Sequence, residues 1–149
     1  MVLPHYLPAR AAAEGASGSG GAPSFGGQLV ALIEDDPDIL FALSLLLRGW
    51  GLRTLEARSL GELDPALGTQ SERPALLITD YYLPGGMTGR DAVRRLRSAA
   101  GTAVPAIVLT GDTSSERAQE AAAYNYGLLL KPVQPERLEQ AIREALSAP

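Results

Sequence analysis

From residue 28 onward, the chain alternates short apolar runs with longer segments in which apolar residues recur every three or four positions. Four of the runs, at 29–33, 75–78, 104–109 and 128–130, end in polar or charged residues. Runs without charged interruption are typical of strands buried on both faces of a parallel sheet. A fifth run, 52–57, includes charged residues and predicts a more exposed strand.

Helical patterns fill the intervals between these runs. In the first interval, Asp36 is a favourable N-cap, Pro37 suits the first helical position and Gly51 is placed to end the helix. The apolar residues that we predict on the inner face of this helix are Ile39, Leu43, Leu46 and Trp50.

Four further helices follow, and cap residues or proline mark where they begin. The predicted starts are Ser59, Thr88 with Asp91 as its capping-box partner, Thr113 with Glu116 in the same role, and Pro135. Five strands that alternate with five helices predict an α/β fold with a doubly wound parallel sheet.

Composition limits the chemistry of this domain. The 149 residues suffice for one domain with its own core, and the lack of cysteine excludes disulfides, thiol catalysis and cysteine-ligated metals. The single histidine, His5, leaves almost no basis for a histidine metal site or a Ser-His-Asp triad. A net charge of −4 without a basic block argues against direct nucleic-acid binding.

The N-terminal segment differs in composition from the rest of the chain. Between residues 15 and 27, every residue except Phe25 is Gly, Ala, Ser or Pro. Such a segment buries too little apolar area to offset its ordering entropy, so we predict a flexible tail over 1–27 and a folded domain over 28–149. Because no apolar run reaches the roughly 20 residues of a membrane span and no signal pattern is evident, we expect a cytoplasmic protein without membrane contact.

Polar residues at the ends of four predicted strands point to one site. Glu34 and Asp35 follow the first strand, Asp80 the third, Thr110 the fourth and Lys131 the fifth. Ligands of doubly wound sheets bind beyond the carboxyl ends of the strands, so we expect these side chains to converge. Three carboxylates in one place repel one another unless a cation joins them, and oxygen ligands without His or Cys favour Mg²⁺.

This combination of groups is suited to phosphoryl transfer. A metal ion and the Lys131 ammonium neutralise charge on the transferring oxygens, and a carboxylate can itself act as the nucleophile. Asp80 is the best candidate nucleophile because it is the lone acid at the end of the central strand.

Four short motifs contain these residues. They are Glu34-Asp35-Asp36-Pro37, Asp80 with Pro84 four positions later, Thr110-Gly111, and Lys131-Pro132. In this order and at these separations, the motifs resemble those of response regulator receiver domains in two-component signalling. The resemblance covers residues 28–149 and implies the flavodoxin-like receiver fold, with strand order 2-1-3-4-5.

The resemblance also implies roles for the acidic residues. Asp80 is similar to the phosphoacceptor that takes a phosphoryl group from a partner histidine kinase. Glu34 and Asp35 resemble the acidic pair that binds Mg²⁺, with Asp35 favoured as the direct ligand. The backbone carbonyl of Tyr82 would complete the protein's ligands to the metal.

The resemblance also implies roles for Thr110 and Lys131, whose side chains would form hydrogen bonds with the phosphoryl oxygens. It further implies a cis peptide bond before Pro132. One departure is Leu128, which stands where the family usually has Tyr or Phe. In the family, that aromatic side chain rotates inward when the threonine of the site moves. Here, either Tyr126 reports this change in another way, or the conformational change is small. We favour the second, because a tyrosine at a strand start suits packing or solvent exposure.

The leading hypothesis is a single-domain, Mg²⁺-dependent phosphoacceptor that is phosphorylated by a histidine kinase or phosphotransfer protein and turns over no external metabolite. Its output would pass to a downstream protein target or a phosphorelay. Formation of a homodimer on phosphorylation is a further alternative.

One alternative is a receiver fragment of a hybrid histidine kinase, because the loop after Asp80 resembles that of receivers attached to such kinases. The others are a phospho-independent pseudo-receiver adaptor, an aspartyl phosphatase and a flavin carrier. The intact set of site residues disfavours the adaptor, and Tyr82 in the place of a second acid disfavours the phosphatase. The three acids after the first strand would repel the phosphate of a flavin.

Overall fold

The computed structural model describes residues 25–147, in which strands and helices alternate along the chain. The strands are β1 Leu29–Ile33, β2 Arg53–Ala57, β3 Leu76–Asp80, β4 Ala106–Thr110 and β5 Gly127–Leu130. The helices are α1 Pro37–Gly49, α2 Leu60–Gly68, α3 Gly89–Ala100, α4 Ser115–Tyr124 and α5 Pro135–Ser147. A short 3-10 turn, Pro84–Gly86, lies between β3 and α3.

The five strands form one parallel sheet in the order β2-β1-β3-β4-β5, which confirms the predicted fold and strand order. β1, β3 and β4 are buried along their whole length, because apolar residues on both of their faces meet helices. β2 is partly exposed, as its charged residues predict, and β5 is exposed at both of its ends.

Two apolar cores lie on the two faces of the sheet, because successive strand residues point to opposite sides. On one face, Leu32 and Ile78 pack with residues of α1 and α5. On the other, Ile33 and Val108 pack with residues of α2 and α3, to which α4 adds one buried residue, Ala121. The sheet therefore forms a rigid layer whose carboxyl edge carries the candidate site.

The inner face of α1 differs from the predicted one. Leu43 and Trp50 are buried as expected, but Ile39 is 39% exposed and Leu40 lies in the core instead. Nearly every position from 39 to 47 is apolar, so the hydrophobic pattern alone leaves two adjacent helix faces equally suitable. Contact with the sheet selects the face that contains Leu40, Leu43 and Leu47.

The start of α4 also differs from the prediction. Ser114, and not Thr113, is the N-cap, and its hydroxyl accepts a hydrogen bond from Arg117 N. The Asp112 carboxylate accepts a hydrogen bond from Ser114 N, and this local turn encloses Thr113 before the helix begins. The predicted cap at Asp36 and the Thr88 capping box are both confirmed.

The predicted boundary of the tail at residue 27 falls inside the described structure. Phe25 is buried against Trp50 at a ring distance of 6.5 Å, and its backbone N–H donates to the Trp50 carbonyl. Packing therefore includes residues 25–27, whereas residues 1–24, the remainder of the predicted tail, lie outside the described residues. Across 25–147, no helix combines the length and apolarity that a membrane crossing requires.

The two phenylalanines of the chain provide a matched test of this packing. Phe25→Ala is expected to lower the free energy of unfolding by about 2–4 kcal/mol, because it leaves a cavity beside Trp50. Phe41→Ala removes the same ring from a side chain that is 62% exposed, so its effect is expected within about 0.5 kcal/mol. Urea denaturation followed by circular dichroism measures both values, and equal effects would contradict the packing role of Phe25.

Candidate functional site

Three carboxylates meet at the carboxyl edge of the sheet. Glu34 and Asp35 follow β1 directly, and Asp80 is the last residue of the neighbouring strand β3. One oxygen of each carboxylate can be chosen so that all three lie within 4.8 Å of one another. The structure thus brings together the acidic residues that the sequence predicts.

Glu34 is the most deeply buried of the three acids, with 2% of its surface exposed. Its Oε2 accepts a hydrogen bond from Asp36 N at 3.1 Å, whereas its Oε1 is buried and has no partner among the described residues. The pKa of Glu34 is raised to about 7, mainly by burial and in part by the nearby charge of Asp80. The hydrogen bond from Asp36 lowers the pKa but offsets only part of the effect of burial.

Asp80 is paired with the predicted lysine. Lys131 Nζ donates to Asp80 Oδ1 at 2.7 Å, and both side chains are largely covered. Burial opposes the positive charge of Lys131, but the hydrogen bond and the charge of Asp80 outweigh it, so the pKa of Lys131 lies above its ordinary value. The peptide bond between Lys131 and Pro132 is cis, as the resemblance implied.

Thr110 borders the same edge from β4. It is 3% exposed and pairs with Leu130, the residue before Lys131. Its hydroxyl oxygen accepts a hydrogen bond from Asp112 N at 3.0 Å, and its carbonyl accepts one from Lys131 N at 2.8 Å. Since the hydroxyl acts as acceptor here, its hydrogen is available for a further acceptor at the site.

Tyr82 lies in the loop that follows β3. Its backbone carbonyl accepts no hydrogen bond from the described residues, so it is available as a ligand. Its side chain is 65% exposed, and its ring meets that of Tyr81 edge to face at 4.9 Å. Tyr126, in contrast, is buried within the core, and its hydroxyl has no partner in the described structure.

One residue of the site was missed by sequence reasoning. A Cβ atom on Gly89, the first residue of α3, would lie 2.8 Å from the Asp80 carbonyl oxygen. Gly89 N also donates to the Tyr81 carbonyl at 2.6 Å. The absence of a side chain at Gly89 therefore lets α3 approach the end of β3. The position of Gly89 immediately after the capping residue Thr88 is the sequence signal that could have indicated this close approach.

The donor set fits a hard divalent cation. The carboxylate oxygens of Glu34, Asp35 and Asp80 are the kind of ligand that Mg²⁺ prefers, and no nitrogen or sulfur ligand stands among them. Glu34 Oε1, buried without a partner among residues 25–147, is the observation that most clearly supports this fit. A carboxylate oxygen removed from water in this way is stabilised by a nearby cation.

The chain is similar to known proteins in sequence and in structure. The sequence matches the family described as the response regulator receiver domain over residues 30–143. The DNA-binding response regulator MtrA of Mycolicibacterium smegmatis is 34% identical over 123 residues, which are 80% of this chain and 50% of that protein. This chain therefore spans about half the length of the curated relatives that it matches first.

Solved structures match over nearly their whole length. The response regulator receiver domain protein from Clostridium thermocellum is 27% identical, with a TM-score of 0.71 and coverage of 80% of this chain and 94% of that one. The chemotaxis response regulator CheY4 of Vibrio cholerae is 30% identical, with a TM-score of 0.69 and coverage of 80% and 99%.

The raised pKa of Glu34 predicts a pH dependence of stability in the metal-free protein. Glu34 has a pKa of about 7 in the folded state and 4.5 as its ordinary value, so the native state holds this proton more tightly. The resulting stabilisation is complete below pH 4.5 and is lost as the pH rises through 7.

Glu34→Gln keeps the side chain neutral and is expected to remove this dependence. In the wild type, the free energy of unfolding should fall by about 2 kcal/mol more between pH 5 and pH 8 than in the variant. Urea titrations in the presence of a chelator measure the difference. Parallel pH profiles for the two proteins would contradict the assignment.

Proposed function

Because the chain belongs to the response regulator receiver family, we propose that it accepts a phosphoryl group on Asp80 from a histidine kinase or a phosphotransfer protein. One observation carries this proposal: the Asp80 carboxylate lies against Lys131 Nζ at 2.7 Å and beside Glu34 and Asp35. A nucleophile, a cation and a pair of additional carboxylates are the groups that phosphoryl transfer to a carboxylate needs.

Glu34, Asp35, Asp80 and the Tyr82 carbonyl would hold a Mg²⁺ ion. When bound, the ion offsets negative charge on the phosphoryl oxygens and on the carboxylates themselves. Lys131 supplies a second positive charge from the opposite side of Asp80, through the loop after β5. Without these charges, the acidic cluster would repel a phosphoryl donor.

Phosphoryl transfer would proceed by attack of an Asp80 carboxylate oxygen on phosphorus. The new O–P bond forms as the P–N bond to the phosphohistidine of the donor breaks, and the bonding electron pair remains on the imidazole. The Lys131 ammonium and the Thr110 hydroxyl would donate hydrogen bonds to the phosphoryl oxygens of the acyl phosphate. For Thr110, this requires only the hydroxyl hydrogen that its present contact with Asp112 N leaves available.

The chemistry would be self-contained, without turnover of an external metabolite. An aspartyl phosphatase usually has a second acid two residues after its nucleophile, and here that position is Tyr82. We therefore propose a signalling role, in which the phosphorylated domain acts on a downstream protein or passes the phosphoryl group on.

The surface next to the site is suited to a protein donor. α1 begins at Pro37, immediately after the acidic residues, and exposes Phe41 and Leu45, which lie one turn apart on the side opposite its buried residues. Ile39 is also partly exposed, but on a different side of the helix. An apolar surface of this kind beside a phosphoacceptor favours docking of a phosphohistidine-bearing protein over access by small metabolites alone.

Intact-mass spectrometry after incubation with acetyl phosphate tests the proposed chemistry. We expect a single phosphoryl adduct on the wild type that requires Mg²⁺ and is absent from Asp80→Asn, because the amide is not a nucleophile. Asp64→Asn is the matched control, since Asp64 is an exposed acid that pairs with Arg95 on the surface. An adduct on Asp80→Asn, or a wild-type adduct formed equally with a chelator, would contradict the proposal.

A further inference from the structure

The loop between β3 and α3 is closed by two backbone hydrogen bonds in an antiparallel arrangement. Gly89 N donates to the Tyr81 carbonyl at 2.6 Å, and Leu83 N donates to the Met87 carbonyl at 3.0 Å. Leu83 is buried in the core and Met87 packs against it, so apolar contacts also hold this loop in place. We call the two hydrogen bonds the loop ladder.

The loop ladder determines which way the backbone groups of Tyr82 point. Tyr82 forms an antiparallel pair with Thr88, and this pair lies between the two hydrogen bonds. In a pair of this type, the N–H and C=O groups of both residues point away from the partner strand. The Tyr82 carbonyl is thus turned away from Thr88 and α3, while Thr88 N donates to the Asp91 carboxylate.

The side of the loop that this carbonyl faces follows from the pairing of β3. Tyr81 N donates to the Leu109 carbonyl at 2.8 Å, so the backbone groups of Tyr81 face β4. In an extended chain, the backbone groups of successive residues point to opposite sides. Those of Tyr82 therefore face the side of β1, the other neighbour of β3, and the residues that follow β1 are Glu34 and Asp35.

Gly89 makes the loop ladder possible. A Cβ atom at this position would lie 2.8 Å from the Asp80 carbonyl oxygen and 3.1 Å from Val108 Cγ1. The first contact is with backbone and is closer than a Cβ atom tolerates, so a side chain here would push α3 away from β3. The hydrogen bond between Gly89 and Tyr81 would then lengthen, and the adjoining Tyr82 carbonyl would move with the backbone of Tyr81.

We propose that Gly89 is a positioning residue that, through the loop ladder, sets the preference of the acidic site for Mg²⁺ over the larger cation Ca²⁺. The inference rests on the proposed function, in which the Tyr82 carbonyl joins three carboxylates as a metal ligand. Mg²⁺ requires nearly octahedral oxygen ligands at about 2.0–2.1 Å, whereas Ca²⁺ accepts irregular ligands at about 2.3–2.6 Å. A displaced carbonyl therefore weakens the binding of Mg²⁺ much more than the binding of Ca²⁺.

Isothermal titration of Mg²⁺ and of Ca²⁺ into the wild type and Gly89→Ala tests the proposal. We expect Gly89→Ala to bind Mg²⁺ at least about tenfold more weakly, the usual effect of removing the support of a metal ligand, and Ca²⁺ less than about threefold more weakly. The ratio of the two affinities is the decisive value, because general destabilisation of the domain weakens the binding of both ions to the same extent. An equal ratio in Gly89→Ala and the wild type would overturn the proposal.

Gly61→Ala is the matched control for Gly89→Ala. Gly61, like Gly89, lies in the first turn of a helix that follows a capping residue, but a Cβ atom there meets only Ser59 Oγ, at 3.7 Å. Both affinities of Gly61→Ala should therefore stay within about twofold of the wild type. A loss of Mg²⁺ affinity in Gly61→Ala equal to that in Gly89→Ala would contradict a specific role of Gly89.

Gly85 provides a second test that does not disturb the contact between α3 and β3. It lies in the exposed turn of the same loop with φ 78° and ψ 21°, and nothing lies within 4 Å of a Cβ atom placed there. Asparagine adopts this left-handed conformation more readily than valine, so Gly85→Val strains only the backbone that closes the loop ladder. We expect its ratio of Mg²⁺ to Ca²⁺ affinity to be at least about threefold lower than that of Gly85→Asn. If Gly89→Ala does not fold, equal ratios in these two variants would overturn the proposal.

The wild-type titration separates this proposal from the proposed function. A wild type that binds Mg²⁺, together with an unchanged ratio in Gly89→Ala, would overturn the role of Gly89 and leave the phosphoacceptor assignment of Asp80 intact. A wild type that binds no Mg²⁺ would contradict the metal-dependent function itself, and the role of Gly89 with it.

Discussion

Like-charge repulsion at one edge of the sheet is the constraint on which the site depends. The parallel order β2-β1-β3 places the end of β1 beside the end of β3, so Glu34 and Asp35 necessarily meet Asp80. Lys131 offsets one of these charges through its contact with Asp80. The repulsion that remains contributes to the raised pKa of Glu34. Burial is the largest cause of that rise, and the charges of the neighbouring acids add to it. An acidic site of this kind is stable at neutral pH only when protons or a metal ion reduce its charge.

The domain divides into a part fixed by apolar packing and a part fixed by polar contacts. β1, β3 and β4 are buried throughout, and α1, α3 and α5 each contribute several residues to the cores. α4 contributes one residue and depends on hydrogen bonds and ion pairs centred on Glu120. Among the five helices, α4 has the fewest buried residues.

The sequence predicts the strands and the five polar residues of the site, because apolar runs that end in polar residues are local features and parallel strands bring their ends to one edge. The strand order followed from the family resemblance. It does not predict which face of α1 is buried, since almost every residue from 39 to 47 is apolar. It places the α4 cap one residue early, because Thr113 and Ser114 are both good caps and only the turn at Asp112 distinguishes them. Gly89 was missed for a different reason. Its close approach to the Asp80 carbonyl joins two elements and belongs to no periodic pattern, and only its place after the cap Thr88 is a local signal of it.

The proposed function requires the acidic edge formed by Glu34, Asp35 and Asp80 to bind one divalent cation. Isothermal titration of Mg²⁺ into the wild type, Asp35→Asn and Asp38→Asn measures this binding. Asp38 is a suitable control because it is an exposed acid in the first turn of α1, three residues from Asp35 but outside the cluster. We expect one Mg²⁺ per chain for the wild type and Asp38→Asn, and binding at least about tenfold weaker for Asp35→Asn. Equal binding by all three proteins, or no binding by the wild type, would contradict it.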